Sequence, residues 1–157
     1  MQVADFGCGP GFYSVALAEA VGPNGRVWAL DVQKEMLELV RSKARKARFL
    51  NVIPLWADLE KPGGSKLAEE SVDAIFMSNI LFQTQNKKTM LSEAFRVLKT
   101  GGKIAIIDWS DSAAGAGPRA ETVIKRGSAE KILEETGFTR AGEFPAGDYH
   151  YGLIYKK

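Results

Sequence analysis

Strand-length apolar runs alternate with helix-forming stretches along most of this 157-residue chain. The apolar runs are bounded by turn residues, and they predict buried strands at 2–6, 26–31, 51–58, 71–80 and 100–110. The stretches between and after them predict helices at 11–21, 33–48, 86–99 and 128–136. Because parallel strands need crossover connections, this alternation predicts an α/β fold, with a doubly wound, mostly parallel sheet and helices on both of its faces.

The C-terminal residues follow a different pattern. "FTRAGEF" and "YHYGLIYKK" are predicted to be strands on either side of the turn "PAGD" at 145–148. A closing hairpin of this kind adds one antiparallel strand to the sheet. The segment 110–119 is rich in small residues and is predicted to be a loop. Because no repeat or long linker divides the chain, we expect residues 1–157 to form a single domain.

Composition narrows the function classes. The net charge is +2, so charge makes nucleic acid an unlikely partner and gives no case for an acidic membrane surface. The only cysteine, Cys8, excludes an internal disulfide and a cysteine-based zinc site, which favours a reducing, cytoplasmic location. The only histidine, His150, excludes a two-histidine metal site, and we expect no metal. No apolar run approaches the length of a membrane span.

A glycine-rich stretch, "DFGCGPG", joins the first predicted strand to the first predicted helix. Gly7, Gly9 and Gly11 permit a tight turn in which the backbone comes close to a bound molecule. The helix that follows offers free N–H groups to a ligand's polar atoms. Asp31 ends the second strand, where a carboxylate can accept hydrogen bonds from two ribose hydroxyls. These features predict a cofactor that contains a nucleoside, and a plain tight turn is the alternative interpretation of the glycines.

Two residues decide against a dinucleotide. Phe12 occupies the place of the third glycine in the G-x-G-x-x-G fingerprint, where it would obstruct the close contact between helix and strand. Asp5 brings negative charge close to where a pyrophosphate would lie, so a cationic ligand is the better electrostatic match. S-adenosylmethionine carries a sulfonium and an ammonium and no phosphate, and it is therefore the predicted cofactor.

Five segments, spaced along nearly the whole chain, carry a recognisable order of motifs. They are "VADFGCGPG", "VWALDVQKEML", "PLWADLE", "SVDAIFMSNILFQ" and "EAFRVLKTGGKIAIID". Together they resemble the Rossmann-like (class I) S-adenosylmethionine-dependent methyltransferases, and most of all the small-molecule branch that includes the ubiquinone and menaquinone C-methyltransferases. The resemblance implies a seven-stranded sheet in the order 3-2-1-4-5-7-6 with strand 7 antiparallel, which agrees with the C-terminal hairpin.

The resemblance also implies a set of cofactor-binding residues. They are Asp5, Gly7, Cys8, Gly9, Gly11, Asp31, Val32, Asp58, Leu59 and Asn79. The loop residues would face the methionine part of the cofactor, Asp31 would bind the ribose, and Val32 would flank the adenine. Asp58 would bind the exocyclic amine of the adenine, with Leu59 beside the ring. Asn79 would lie near the methionine part or the acceptor. For Asp58 and Asn79, a turn or capping role is the alternative.

Members of this family usually carry helices before the first strand, and these helices cover the cofactor and shape the acceptor pocket. In this sequence the first predicted strand begins at residue 2, and no such helices precede it. We expect either a truncated chain or a start assigned too late, with a minimal natural version as the third possibility.

Methyl transfer from a sulfonium is an in-line displacement in which alignment supplies most of the protein's contribution, and a general base is optional. The implied strand order brings Asp108, near the end of the fifth strand, beside the hairpin that carries His150. We expect both side chains to line one pocket with the glycine loop, where His150 would take a proton and Asp108 would orient its ring. Alternation along the strand could instead turn His150 away from the cofactor.

The leading hypothesis for function is S-adenosylmethionine-dependent methyl transfer to a small or medium-sized acceptor. A non-catalytic module that binds the cofactor is the first alternative, because the covering helices are missing. A nicotinamide-dependent oxidoreductase is the second alternative, and Phe12 and Asp5 argue against it.

Overall fold

The computed structural model describes residues 1–110 and 117–157. Within those ranges seven strands form one sheet, and four α-helices and one short 3-10 helix accompany it. The strands are β1 (Gln2–Phe6), β2 (Arg26–Asp31), β3 (Val52–Trp56), β4 (Val72–Ser78), β5 (Leu98–Trp109), β6 (Thr139–Pro145) and β7 (His150–Lys156). The α-helices are α1 (Phe12–Val21), α2 (Lys34–Lys46), α3 (Lys87–Val97) and α4 (Arg126–Thr136), and the 3-10 helix is Ala120–Thr122.

The order of strands across the sheet is β3-β2-β1-β4-β5-β7-β6, and β7 runs antiparallel to both of its neighbours. This result confirms the predicted fold class, strand order and C-terminal hairpin. The chain order reverses between β1 and β4, which pair in parallel. In sheets of this kind the carboxyl ends of the strands at such a reversal flank the crevice in which a ligand binds.

Helices cover the sheet in two layers. On one face Phe6, Met77, Ile106 and Leu153 lie side by side across four strands, and all four are fully buried. Apolar residues of α3 and α4 pack on that face. On the other face Val27 and Ala29 pack against residues of α1 and α2. The strand β2 therefore presents Leu30 to one helix layer and Val27 and Ala29 to the other.

Several element boundaries differ from the prediction by one or two residues, and the junction of the third helix with the fifth strand is one of them. The third helix ends at Val97, and β5 begins at Leu98, two positions before the predicted start of that strand. Leu98 takes an extended backbone conformation because it is already paired with Val72 and fully buried in the core. Most of the predicted loop at 110–119 lies outside the described residues.

Candidate cofactor site

A cavity of about 320 Å³ opens where the chain leaves the carboxyl ends of β1, β2, β3 and β4. Six of the predicted cofactor-binding residues line this cavity: Gly7, Gly9, Asp31, Val32, Asp58 and Leu59. They come from three separate connections of the chain, and the strand order brings those connections together. The volume of the cavity lies within the range of small-molecule sites, about 300–1,000 Å³.

The glycine loop needs glycine for two different reasons. Gly9 has φ of +49°, and among the described residues no atom lies within 4 Å of where its Cβ would be. Gly11 has φ of +81°, and its Cβ would lie only 2.8 Å from Cγ2 of Val40 on α2. Because L side chains rarely adopt this backbone conformation, both positions favour glycine. Gly9 thus leaves space at the cavity, whereas Gly11 lets α2 approach the loop.

The side chain of Phe12 is exposed and is not packed between a helix and a strand. It is 71% exposed and meets the ring of Tyr13 edge-on, with ring centroids 5.1 Å apart. The prediction that Phe12 obstructs a close helix contact was therefore wrong. A different close approach, between the glycine loop and α2, occurs at Gly11.

Asp31 holds the loop and faces the cavity at the same time. Its Oδ2 accepts a hydrogen bond from the Gly9 N–H at 2.9 Å, and its Oδ1 accepts one from the Gln33 N–H at 2.9 Å. A carboxylate offers about four acceptor positions, so two further donors can be accommodated. The geometry is compatible with hydrogen bonds to two ribose hydroxyls.

Asp58 stands across the cavity from the glycine loop, at the turn after β3. Its Oδ1 accepts a hydrogen bond from the Glu60 N–H at 3.2 Å, and its Oδ2 lies 2.9 Å from Nζ of Lys61. The hydrogen bond from Lys61 lowers the pKa of Asp58. The side chain therefore makes the local contacts of a turn aspartate and also contributes a charged acceptor to the cavity wall.

Asp5 and Cys8 are both buried at the base of the loop. The Ser14 hydroxyl on α1 donates a 2.6 Å hydrogen bond to Asp5. Burial raises the pKa of Asp5 to about 7, an effect that the Ser14 hydrogen bond opposes and the nearby charge of Asp31 increases. Burial likewise raises the pKa of the Cys8 thiol, so this cysteine is a poor nucleophile. Asp5 thus anchors α1 to β1 beneath the loop.

Asn79 follows β4 in a left-handed backbone conformation, with φ of +54°. Its N–H donates to the Ile107 carbonyl at 2.9 Å. Its Oδ1 is buried, and no residue in the described ranges donates a hydrogen bond to it. A buried acceptor without a donor is costly, so this oxygen is available to a donor on a ligand.

The structure separates the two predicted catalytic residues. Asp108 on β5 is opposite Tyr151, whereas His150 on β7 is opposite Trp109, so Asp108 and His150 project from opposite faces of the sheet. The ring of His150 packs on Trp109 with centroids 4.1 Å apart, and burial lowers the pKa of this histidine. The prediction that the two residues share one pocket with the glycine loop was wrong. The register of β5 and β7, which pairs Asp108 with Tyr151 and not with His150, accounts for the difference.

Asp108 has a different contact instead. Its Oδ2 accepts hydrogen bonds from the N–H groups of Leu81 at 2.9 Å and Phe82 at 3.4 Å, and burial raises its pKa. These bonds hold the segment after β4, and Ile80, Gln83 and Thr84 of that segment line the cavity. Sequence reasoning missed these residues, although their place directly after the strand at the chain reversal was a usable signal.

Two further features concern metals and membranes. Across residues 1–110 and 117–157, no group of three or more His, Cys, Asp or Glu side chains could hold a metal ion. In the same ranges, none of the helices has the length and apolar character that crossing a membrane requires.

Comparison with known proteins adds independent information. A family model described as a methyltransferase domain matches residues 1–139. The crystal structure of a SAM dependent methyltransferase from Aquifex aeolicus is 34% identical and has a TM-score of 0.90, with 99% of this chain and 81% of that chain covered. The [4+2]-cyclase SpnF, at 19% identity and a TM-score of 0.77 with 91% of this chain and 53% of that one covered, shares the fold alone.

Curated relatives match a smaller part of the chain. A demethylmenaquinone methyltransferase from Lactococcus lactis subsp. lactis is 32% identical over 114 aligned residues, and the match covers 70% of this chain and 42% of that protein. This chain thus spans less than half the length of the curated relatives it matches. The family model, the Aquifex structure and the strand order together show that the chain belongs to the Rossmann-like (class I) S-adenosylmethionine-dependent methyltransferase family.

Proposed function

We propose that this chain binds S-adenosylmethionine at the cavity beside the glycine loop and transfers its methyl group to a small or medium-sized acceptor. The observation that carries the proposal is that Gly9, Asp31 and Asp58 line one cavity, although they come from three separate connections. A glycine with open space beside it and two carboxylates with spare acceptor positions suit a nucleoside whose donors are hydroxyls and an amine.

Each part of the cofactor has a candidate partner in this arrangement. Asp31 would accept hydrogen bonds from the ribose hydroxyls, and Asp58 would accept one from the exocyclic amine of the adenine. Val32, whose side chain is half exposed, and Leu59 would flank the ring. The buried Oδ1 of Asn79 would accept a hydrogen bond from the ammonium group of the methionine part.

Methyl transfer from a sulfonium mainly requires the protein to align the acceptor with the methyl group and the sulfur. When bound, S-adenosylmethionine supplies a methyl group on a sulfonium that is already activated for in-line displacement. The residues of the chain bind and orient that group, and holding two reactants in line supplies a large part of the rate enhancement. His150 and Asp108 are not proposed as an acid–base pair, because they project from opposite faces of the sheet.

The acceptor is proposed as a class only. The name of the curated relatives, demethylmenaquinone methyltransferase, supports a small molecule rather than a nucleic acid or protein. The chain's net charge of +2 agrees with that choice.

Two experiments test the proposal, first a measurement of cofactor binding and then an assay of methyl transfer. S-adenosylhomocysteine should raise the melting temperature, because a ligand that binds only the folded state stabilises it by mass action. If millimolar S-adenosylhomocysteine leaves the melting temperature unchanged, the proposed binding at this cavity is wrong. Transfer of a labelled methyl group to any member of a panel of phenolic, quinol and other small acceptors would then establish catalysis.

Two alternatives predict different results. A non-catalytic module would bind S-adenosylhomocysteine and label no acceptor in the panel, and it stays open because a shared fold does not fix the chemistry. Membership in the S-adenosylmethionine-dependent family argues against the nicotinamide-dependent alternative, which would change NADH fluorescence on binding and would not respond to S-adenosylhomocysteine.

A further inference from the structure

Two walls of the cavity come from different connections of the chain. One wall follows β3 and contributes Asp58, Leu59 and Glu60. The other wall follows β4, leads into α3, and contributes Ile80, Gln83 and Thr84; we call it the α3 approach, residues 80–86. A ligand between these walls depends on their separation, so any contact that bridges them affects binding.

Glu60 makes such a contact. Its Oε2 accepts hydrogen bonds from the backbone N–H groups of Gln85 at 3.1 Å and Asn86 at 2.7 Å. These two N–H groups end the α3 approach immediately before the helix begins at Lys87. One carboxylate on the first wall therefore holds the end of the second.

The sequence of α3 explains why these N–H groups donate to an acceptor from outside the helix. The residue at the N-cap, Asn86, makes no side-chain capping hydrogen bond within the described residues. The first turn contains Lys87 and Lys88 and no acidic residue. Both features are unfavourable at a helix N-terminus, where backbone N–H groups and the helix dipole favour an acceptor with negative charge. Glu60 supplies a negatively charged acceptor from a connection that lies 25 residues earlier in the chain.

A second carboxylate fixes the same connection further along. Glu93, in the middle of α3, is buried and accepts hydrogen bonds from the N–H groups of Gly63 at 3.0 Å and Ser65 at 3.1 Å, while Arg96 pairs with it. The connection after β3 is thus attached to α3 at two points. With its far end fixed by Glu93, the short segment from Asp58 to Glu60 has its position set by the contact of Glu60 with the α3 approach.

We propose that Glu60 is a positioning residue that sets the separation of the two cavity walls and thereby the affinity for the cofactor. This inference rests on the proposed function of the cavity. It assigns to Glu60 a role beyond capping a helix, because the bond joins the wall that would hold the adenine to the wall that precedes α3.

The test separates positioning from helix capping. Glu60→Ala removes both, and we expect S-adenosylhomocysteine to bind about threefold to tenfold more weakly, with a lower melting temperature. Thr89→Glu places an acceptor at the third helical position, from which a glutamate can reach the N-cap N–H within the helix itself. In the double variant Glu60→Ala/Thr89→Glu we expect the melting temperature to recover and the affinity to stay low.

Two controls accompany the double variant. Glu60→Gln keeps an acceptor oxygen and should retain most of the affinity of the unmodified chain. Glu69→Ala removes an exposed glutamate of the same connection and should change neither the affinity nor the melting temperature. Recovery of affinity in the double variant would reduce Glu60 to a helix cap and overturn the inference. Unchanged affinity in Glu60→Ala would overturn it as well. If the unmodified chain itself fails to bind, the proposed function is wrong and this inference falls with it.

Discussion

Asp108 and His150 lie on neighbouring antiparallel strands, one register position apart, and project from opposite faces of the sheet. Asp108 faces the α3–α4 layer, where it binds the backbone after β4. His150 lies on the other face of the sheet and packs on Trp109. A shift of one residue in the pairing of β5 and β7 would have put them together, so register alone decides that they do not form an acid–base pair.

The first prediction follows for His150. We expect His150→Asn to change the affinity for S-adenosylhomocysteine by no more than about twofold, because the ring lies on Trp109 and does not line the cavity in the described part of the chain. Isothermal titration calorimetry measures this directly. A loss of tenfold or more would mean that the ring reaches the bound cofactor.

The second prediction concerns the two cavity carboxylates. Asp31→Ala should weaken binding of S-adenosylhomocysteine by about tenfold or more, because hydrogen bonds to a charged group contribute about 1.5–3 kcal/mol each. Asp31→Glu should lose less, and Asp58→Ala should lose less than Asp31→Ala because it would contact only a neutral amine.

Asp73→Ala is the matched control for these variants. Asp73 is a carboxylate on β4 that bonds to the Gln2 N–H and Lys99, away from the cavity. Its removal should leave the affinity unchanged. Equal losses in Asp31→Ala and Asp73→Ala would indicate a general loss of folding rather than a ribose site, and circular dichroism of each variant distinguishes the two.

The third prediction compares two glycines of one loop. Gly9→Ala adds a methyl group where nothing lies within 4 Å in the described chain, so only the left-handed backbone opposes it, at about 1 kcal/mol. Gly11→Ala adds a contact with Val40 at 2.8 Å, and overpacking brings the total cost to about 2–4 kcal/mol. Urea denaturation measures both costs. Gly9→Ala should also weaken cofactor binding, although it costs little stability, because Gly9 lines the cavity.

The opposite order of stability would contradict this assignment. If Gly9→Ala were the more destabilising variant, the loop would pack on its cavity side rather than against α2.

The fourth prediction is a dependence of stability on pH. Burial raises the pKa of Asp5 from 3.8 to about 7 in the folded chain, so the folded state binds a proton that the unfolded state has released. The stability that this proton provides is complete below pH 3.8 and is lost as the pH rises through about 7. Asp5→Asn should therefore be more stable than the unmodified chain at pH 8, by about 1–3 kcal/mol, and the difference should shrink toward pH 4.

Urea denaturation at pH 5 and pH 8 measures this effect. Asparagine can still accept the hydrogen bond from Ser14, so the contact between β1 and α1 is retained. A difference that does not change with pH would show that Asp5 does not titrate in this range.

Local sequence signals were sufficient for most of the fold. The apolar runs and helical spacing predicted the strands and helices to within a few residues, because burial on one face repeats with the period of each element. The strand order came from the family resemblance, and the structure has the same order. Gly7, Gly9 and Asp31, which the sequence singled out, line the cavity, because the strands that they follow end at the same edge of the sheet.

The tertiary structure alone decided which side chains meet. Sequence reasoning put Asp108 and His150 in one pocket, but the register of β5 and β7 turned them to opposite faces. It expected Phe12 to obstruct a contact between helix and strand, whereas the side chain is exposed, and it overlooked Glu60, whose partners belong to a different connection. The physical reason is the same in each case. Periodicity and propensity act between residues close in the chain, whereas pairing register and contacts between connections arise only when distant segments pack together.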